Sequence, residues 1–158
     1  MAIYMKYASI KGPVTTDGFK DWIELHSFQW GAGRAIGSAL GTDVSRESSN
    51  PSLSEVTVTK ATDVSSPKLF LESVAGKLDN KITLKFTTTT NKQVTTFLTY
   101  ELNKAGLSSY SLSSSGDMPA ETLRLNFTTI QKTFIPMGPN GPGSPESVGY
   151  DLTQMKTI

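Results

Sequence analysis

Trp22-Ile23-Glu24-Leu25-His26-Ser27-Phe28-Gln29-Trp30 alternates apolar with polar residues, and its phase changes half-way. Ile23 and Leu25 occupy odd positions, whereas Phe28 and Trp30 occupy even ones. Strand side chains alternate between faces with period two, so a slip of one residue reverses every face. A β-bulge near His26-Ser27 reconciles the two halves, and so does burial on both sides. Either way the stretch is a strand.

Working outward, residues 3–10 read as another strand, with Ile3, Met5 and Tyr7 on one face. Gly12-Pro13 and Asp17-Gly18 mark turns between the two. Residues 31–51 hold four Gly and one Pro without sustained periodicity and are expected to form a long loop. Residues 53–59 alternate as a strand. One helix follows: Ser65 or Ser66 can cap it, Pro67 suits its first turn, and Leu69, Phe70, Leu71 and Val74 supply an apolar stripe. Gly76 stops it, and about ten residues of helix must lean on a sheet to persist.

Beyond the helix the pattern is nearly all β. Ile82, Leu84 and Phe86 alternate with polar residues, and Asn91-Lys92 sits at a turn. Strands follow at 94–102 and 107–113, then a run through Leu123, Leu125 and Phe127 toward Phe134-Ile135. Residues 136–145 carry four Pro and three Gly and read as a loop, before a last strand at 148–152. Seven or eight short strands with one helix predict a mostly β fold, a two-sheet β-barrel or sandwich with one flanking α-helix.

Composition agrees. The chain has 158 residues, about one domain by the usual range of roughly 100–200, so 1–158 is read as a single unit. Its 19 Ser and 20 Thr favour turns and pleated surface. Charged residues make up 18%, and the net charge of +1 excludes binding driven by a large positive field, as for nucleic acid or anionic membranes. The longest uncharged run, residues 133–145, is too short and too rich in Gly and Pro for a membrane span of about 20 apolar residues. The N-terminus lacks the basic-then-apolar pattern of a secretory signal.

Chemistry finds little support. With no Cys and only His26, thiol nucleophiles and Cys-based zinc sites are absent. Gly31-Ala32-Gly33-Arg34-Ala35-Ile36-Gly37 is one residue too long for a dinucleotide loop and lacks surrounding βα units. Ser65-Ser66-Pro67-Lys68 has SxxK spacing but no SDN or KTG partner, and a helix cap explains it. Glu72 and Glu101 form no paired-carboxylate pattern, and Asn126-Phe127-Thr128, a glycosylation match, falls inside a strand. No enzyme activity, cofactor or metal is expected.

Several short motifs in order resemble the Hcp family, the tube-forming component of type VI secretion systems. Residues 22–31 look like its I-E-V-x-x-W-S-W-G strand, and 58–69 resemble its T-K-x-x-D-x-S-S-P-x-L approach to the helix. Leu107-Ser108-Ser109-Tyr110-Ser111 is similar to V-S-S-Y-S, and residues 119–127 to P-x-E-x-x-x-L-N-F. Phe28 and Gln29 replace the usual Trp and Ser, and Ala61 a bulkier residue.

The resemblance implies a ring-shaped homohexamer. Its rings stack into a hollow tube inside a contractile sheath, below a VgrG-type spike, and effector cargo travels in the bore. It also implies a protein cytoplasmic before firing and then secreted without a signal peptide. Gln29 is the candidate for the bore wall, because the matching family position lies there. In the 31–51 loop, Arg34, Asp43, Arg46 and Glu47 are candidates for ring-on-ring contact, mixed charges giving register more than affinity. Two other readings are a phage-like tail tube subunit and a stand-alone β-sandwich binding module. The second calls for exposed aromatics beside Asp and Asn at the turns, and none is found there.

Overall fold

A computed structural model describes residues 1–37 and 50–158. Arg34 lies among them, while Asp43, Arg46 and Glu47 fall outside the described residues.

The chain opens with β1 (Ala2–Tyr7), β2 (Ile23–Leu25), β3 (Ser27–Gln29) and β4 (Ala32–Gly33). After the undescribed residues come β5 (Ser52–Leu53), β6 (Val56–Ala61) and the helix α1 (Ser66–Ala75). Then follow β7 (Asn80–Thr90), β8 (Gln93–Ser113), β9 (Ala120–Asn126) and β10 (Thr129–Phe134). The chain ends with β11 (Met137–Gly138), β12 (Gly141–Pro142), β13 (Glu146–Asp151) and β14 (Lys156–Thr157).

Ten strands form one antiparallel system bent into two sheets. The first runs β14-β13-β10-β8-β7-β1-β2, and the second runs β3-β6-β9-β8. Among the described residues the strand path does not close into a barrel.

The chain changes sheet at His26, at Ala105-Gly106 and at Phe127-Thr128, and the first of these explains the phase change in the opening stretch. Ile23 and Leu25 pair with β1, whereas Phe28 pairs with Val58 of β6. The expected bulge is a change of partner, with the His26 N–H donating to the Thr59 carbonyl at 2.7 Å. Residues 94–102 and 107–113, expected as separate strands, are one strand of 21 residues. Its first part pairs with β7 and β10, its second with β9. Gly106 sits at the bend because a Cβ there would lie 2.5 Å from the Leu78 side chain. The run from Leu123 to Ile135 divides into β9 and β10 in the same way.

Other expectations are corrected in detail. Leu53 does not continue into β6 but pairs with Ala32, so a short hairpin closes the base of the long loop. Met137-Gly138 and Gly141-Pro142 likewise form a small hairpin inside the 136–145 loop. Ser65 occupies the N-cap without a side-chain cap. That work passes to the preceding turn, where Asp63 Oδ1 accepts from the Ser65 N–H and Ser66 Oγ accepts from the Asp63 N–H.

The apolar stripe of the helix also divides. Leu69 is buried, whereas Phe70, Leu71 and Val74 are exposed. The main core lies between the sheets, where Met5, Ile23, Val58, Ile82, Leu102 and Leu123 are fully buried. A smaller cluster on the other face of β1 joins Tyr4, Val14 and Phe19, against which Trp22 packs edge-on.

The β7–β8 hairpin turns on Asn91 (φ 51°) and Lys92 (φ 63°), the left-handed pair of a two-residue primed turn. Glycine is the usual second residue there, and a left-handed lysine is strained. Lys92→Gly should raise stability by roughly 0.5–1 kcal/mol, and Lys92→Val should lower it, in urea unfolding.

Candidate functional site

The outer face of the second sheet follows from register. Ser27, Thr59, Thr122 and Ser111 form one row across it, and Gln29, Thr57, Arg124 and Ser109 form the next. The intervening residues Val56, Val58, Leu123 and Leu125 fill the core. Thr and Ser are therefore placed on this face by strict alternation. Gln29 is exposed there, while Phe28 and Trp30 pack against the core. Beside Gln29 a cleft of about 420 Å³ is lined by Trp30, Ser54, Glu55, Thr57 and Arg124. Ser54 Oγ accepts from the Gly31 N–H at 2.9 Å, and Glu55 Oε2 accepts from Asn126 Nδ2 at 3.2 Å. Arg124 brings charge to a face otherwise built mainly of hydroxyls and amides, and the sequence reading passed over it.

Arg34 lies just past the β4–β5 base of the long loop, and Asp43, Arg46 and Glu47 lie outside the described residues.

Beneath the hydroxyl face lies a charged cluster that the sequence reading also missed. Lys60 and Glu121 are fully buried and face each other across β6 and β9. Lys60 Nζ donates to Glu121 Oε1 at 2.8 Å, to the Ala61 carbonyl at 2.8 Å and to Ser66 Oγ at 3.2 Å. These three bonds satisfy the ammonium, and Asp63 stands 3.2 Å away as a second anion. Glu121 Oε1 also accepts from Ser66 Oγ, and its Oε2 accepts from Thr62 Oγ1 at 3.2 Å and Tyr110 Oη at 2.6 Å. Burial opposes ionisation of Glu121, but hydrogen bonds from Lys60, Tyr110 and Ser66 outweigh it and hold the carboxyl below its usual range. Burial, reinforced by the bond to Glu121, pushes the Tyr110 phenol up to about 12.

A parity signal could have found this pair. Lys60 keeps the parity of the core residues Val56 and Val58, and Glu121 that of Leu123 and Leu125. Opposite charges at core-facing positions of two strands need each other.

Ser66 and Lys60 side by side superficially match a Ser–Lys nucleophile pair. Here the lysine is held between two carboxylates, and Ser66 Oγ donates to Glu121 inside a closed cluster. The arrangement clamps the helix to the sheet. Among the described residues no group of three or more His, Asp or Glu side chains is placed to hold a metal. Nor is any described helix long and apolar enough to cross a membrane.

The other prominent surface is apolar. Leu71 and Val74 on α1, with Val64 just before it and Leu78 beyond its end, are exposed by 58%, 68%, 67% and 65%. The inward side carries Ser66 and Leu69.

A family profile described as "Type VI secretion system effector, Hcp" matches residues 4–134. Among solved structures, a type six secretion system protein is 27% identical, with 99% of each chain covered and a TM-score of 0.88. Hcp1 from Salmonella typhimurium is 22% identical over 100% of both chains, with a TM-score of 0.76. A type VI secretion system effector from Yersinia pestis is 16% identical, covering 94% of this chain and 98% of its own, with a TM-score of 0.72. No curated protein sequence matches the chain.

Lys60→Met should cost about 3–5 kcal/mol in urea unfolding, because Glu121 is left buried and uncompensated. Lys60→Met with Glu121→Leu should recover most of that loss. The pH dependence has two arms. The depressed Glu121 value contributes stability above its unfolded value of about 4.3, lost as pH falls further toward the native one. The raised Tyr110 value contributes stability below about 10, lost as pH rises toward about 12. Melting temperature against pH should show both arms, and Glu121→Gln should flatten the acid one.

Proposed function

The chain belongs to the Hcp family of type VI secretion system proteins, and from that premise we propose that it is the structural subunit of a secretion tube. Six copies close into a ring, rings stack, and the hollow stack carries effectors when a sheath contracts around it.

The edges of the second sheet support this reading most directly. Among the described residues, β3 pairs only with β6, and the second half of β8 pairs only with β9. A free strand edge templates pairing with another chain, which monomers normally block with charge, proline or cover. Here one edge carries Ser27, Phe28 and Gln29, and the other carries Ser109, Ser111 and Ser113. The edges differ, so pairing one with the other is heterologous and closes into a ring when the rotation permits. Side-by-side pairing carries the rows of hydroxyls around the ring and turns the Gln29 face into a continuous bore wall. Such a wall solvates cargo without strong adhesion.

In this reading the 31–51 loop, with Arg34, Asp43, Arg46 and Glu47, meets the next ring. The VgrG-type spike, the sheath and the effectors are the partners, and the route runs from the cytoplasm outward through the type VI machinery. No cofactor takes part.

Native mass spectrometry and negative-stain imaging test the assembly. A six-membered ring with an open centre is expected, and a stable monomer at high concentration overturns the proposal. Gln29→Ser should leave rings intact and change which cargo co-purifies with them. Deleting residues 37–49 should spare the ring and impair stacking.

A further inference from the structure

The outer face of the first sheet carries a cleft larger than the one beside Gln29, of about 560 Å³. Pairing of β1, β7 and β8 puts Lys6, Thr83 and Glu101 in one row across this face, and Tyr4, Lys85 and Thr99 in the next. Lys81 stands one step beyond, where its carbonyl accepts from the Ala8 N–H at 3.1 Å. Among the described residues, three lysines and a single carboxylate line the cleft.

That carboxylate is already engaged. Glu101 Oε1 meets Lys81 Nζ at 2.7 Å, in a partly exposed pair that is worth little and opens readily for a better partner. Lys85 is in a different position. It is half-buried, with its Nζ 5.4 Å from the ring centre of Trp22 and 6.0 Å from that of Phe19. Among the described residues, neither Lys85 nor Lys6 makes an ion pair or a side-chain hydrogen bond. A partly desolvated charge calls for a counter-charge, and ring faces return only part of the lost hydration. The aromatic wall therefore holds the Lys85 ammonium in place without neutralising it.

We infer that this cleft binds an acidic peptide segment in extended conformation. Lys81, Thr83 and Lys85 project from one face of β7 at two-residue steps of about 6.8 Å each. Glutamates at alternate positions of an extended peptide recur at the same interval. The outer two then reach Lys81 and Lys85, and the middle one reaches Lys6, which lies opposite Thr83. Hydroxyls of Thr83, Thr99 and Thr133 line the same cleft as further donors. Phosphates fit it less well, because no arginine is present for bidentate contacts. Nor is the Trp22 ring free to stack on a base, being engaged by Phe19 and Lys85. The inference does not depend on the tube reading. In that reading the second sheet faces the bore, and the cleft lies on the opposite side of the subunit, away from cargo.

A fluorescein-labelled peptide of alternating Glu and Ser, titrated with the full chain and read by fluorescence anisotropy, tests the site. The peptide should bind at low salt and dissociate at about 1 M salt, where the screening length falls to about 3 Å. Its counterpart with Gln in place of Glu should bind at least about tenfold more weakly, and this comparison needs no variant. Lys6→Gln with Lys85→Gln should weaken binding of the Glu peptide by about tenfold. Lys77→Gln with Lys156→Gln removes the same charge elsewhere and should leave binding unchanged.

Equal binding of the two peptides, or equal loss in the two double variants, overturns the inference. Tighter binding of an oligothymidylate or of phosphatidylserine vesicles, lost in the Lys6 and Lys85 variant, overturns the acidic peptide in favour of a phosphate ligand. Native mass spectrometry of the same samples keeps assembly separate. Rings that ignore the peptide overturn the site alone, and a monomer that binds it overturns the tube reading alone.

Discussion

The buried pair Lys60–Glu121 is the constraint on which the rest of the subunit depends. It joins β6 to β9, collects Ser66 at the start of the helix, and reaches Tyr110 on β8. Taking two charges out of water costs more than their attraction returns unless geometry and further hydrogen bonds are complete. Here they are complete, so the pair works as a lock on arrangement more than as a source of net stability. The cluster fixes the start of the helix, where Ser66 meets both Lys60 and Glu121. That placement turns Leu69 inward and leaves Leu71 and Val74 facing out.

The same economy governs the second sheet. Its inner positions are aliphatic and its outer positions small and hydroxylated, so one alternation produces both a dry core and a wet wall. Hydroxyls on it also bond to each other across strands, as Ser27 does with Thr59. A face satisfied in this way holds its shape without presenting strong charge, and low charge lets like subunits approach edge to edge.

Much of this was legible before any coordinates. Alternation gave the strands, Pro67 and Gly76 bracketed the helix, and Ile3, Met5 and Tyr7 are all buried on one face as their spacing requires. What escaped was anything set by partner choice. A phase change looks the same in sequence whether a strand bulges or leaves one sheet for another, and His26 is the case in point. The strand at Gln93–Ser113 was divided in two because Lys104-Ala105-Gly106 interrupts the pattern, although the backbone passes through unbroken. The apolar stripe of the helix divides into a buried Leu69 and exposed Phe70, Leu71 and Val74, because apolarity alone does not say which of its residues the sheet covers. Gln29 could be placed on an outward face from parity. The opposition of Lys60 and Glu121 depended on a register that no single strand reveals.

That long central strand has a mechanical consequence. β8 belongs to both sheets, hydrogen-bonded to β7 and β10 along one part and to β9 along the other. Tension applied along it loads these ladders in shear, so many bonds must yield together instead of opening one after another. The subunit thus has a built-in tie-rod. A particle driven lengthwise at speed would rely on that stiffness more than on its free energy of folding.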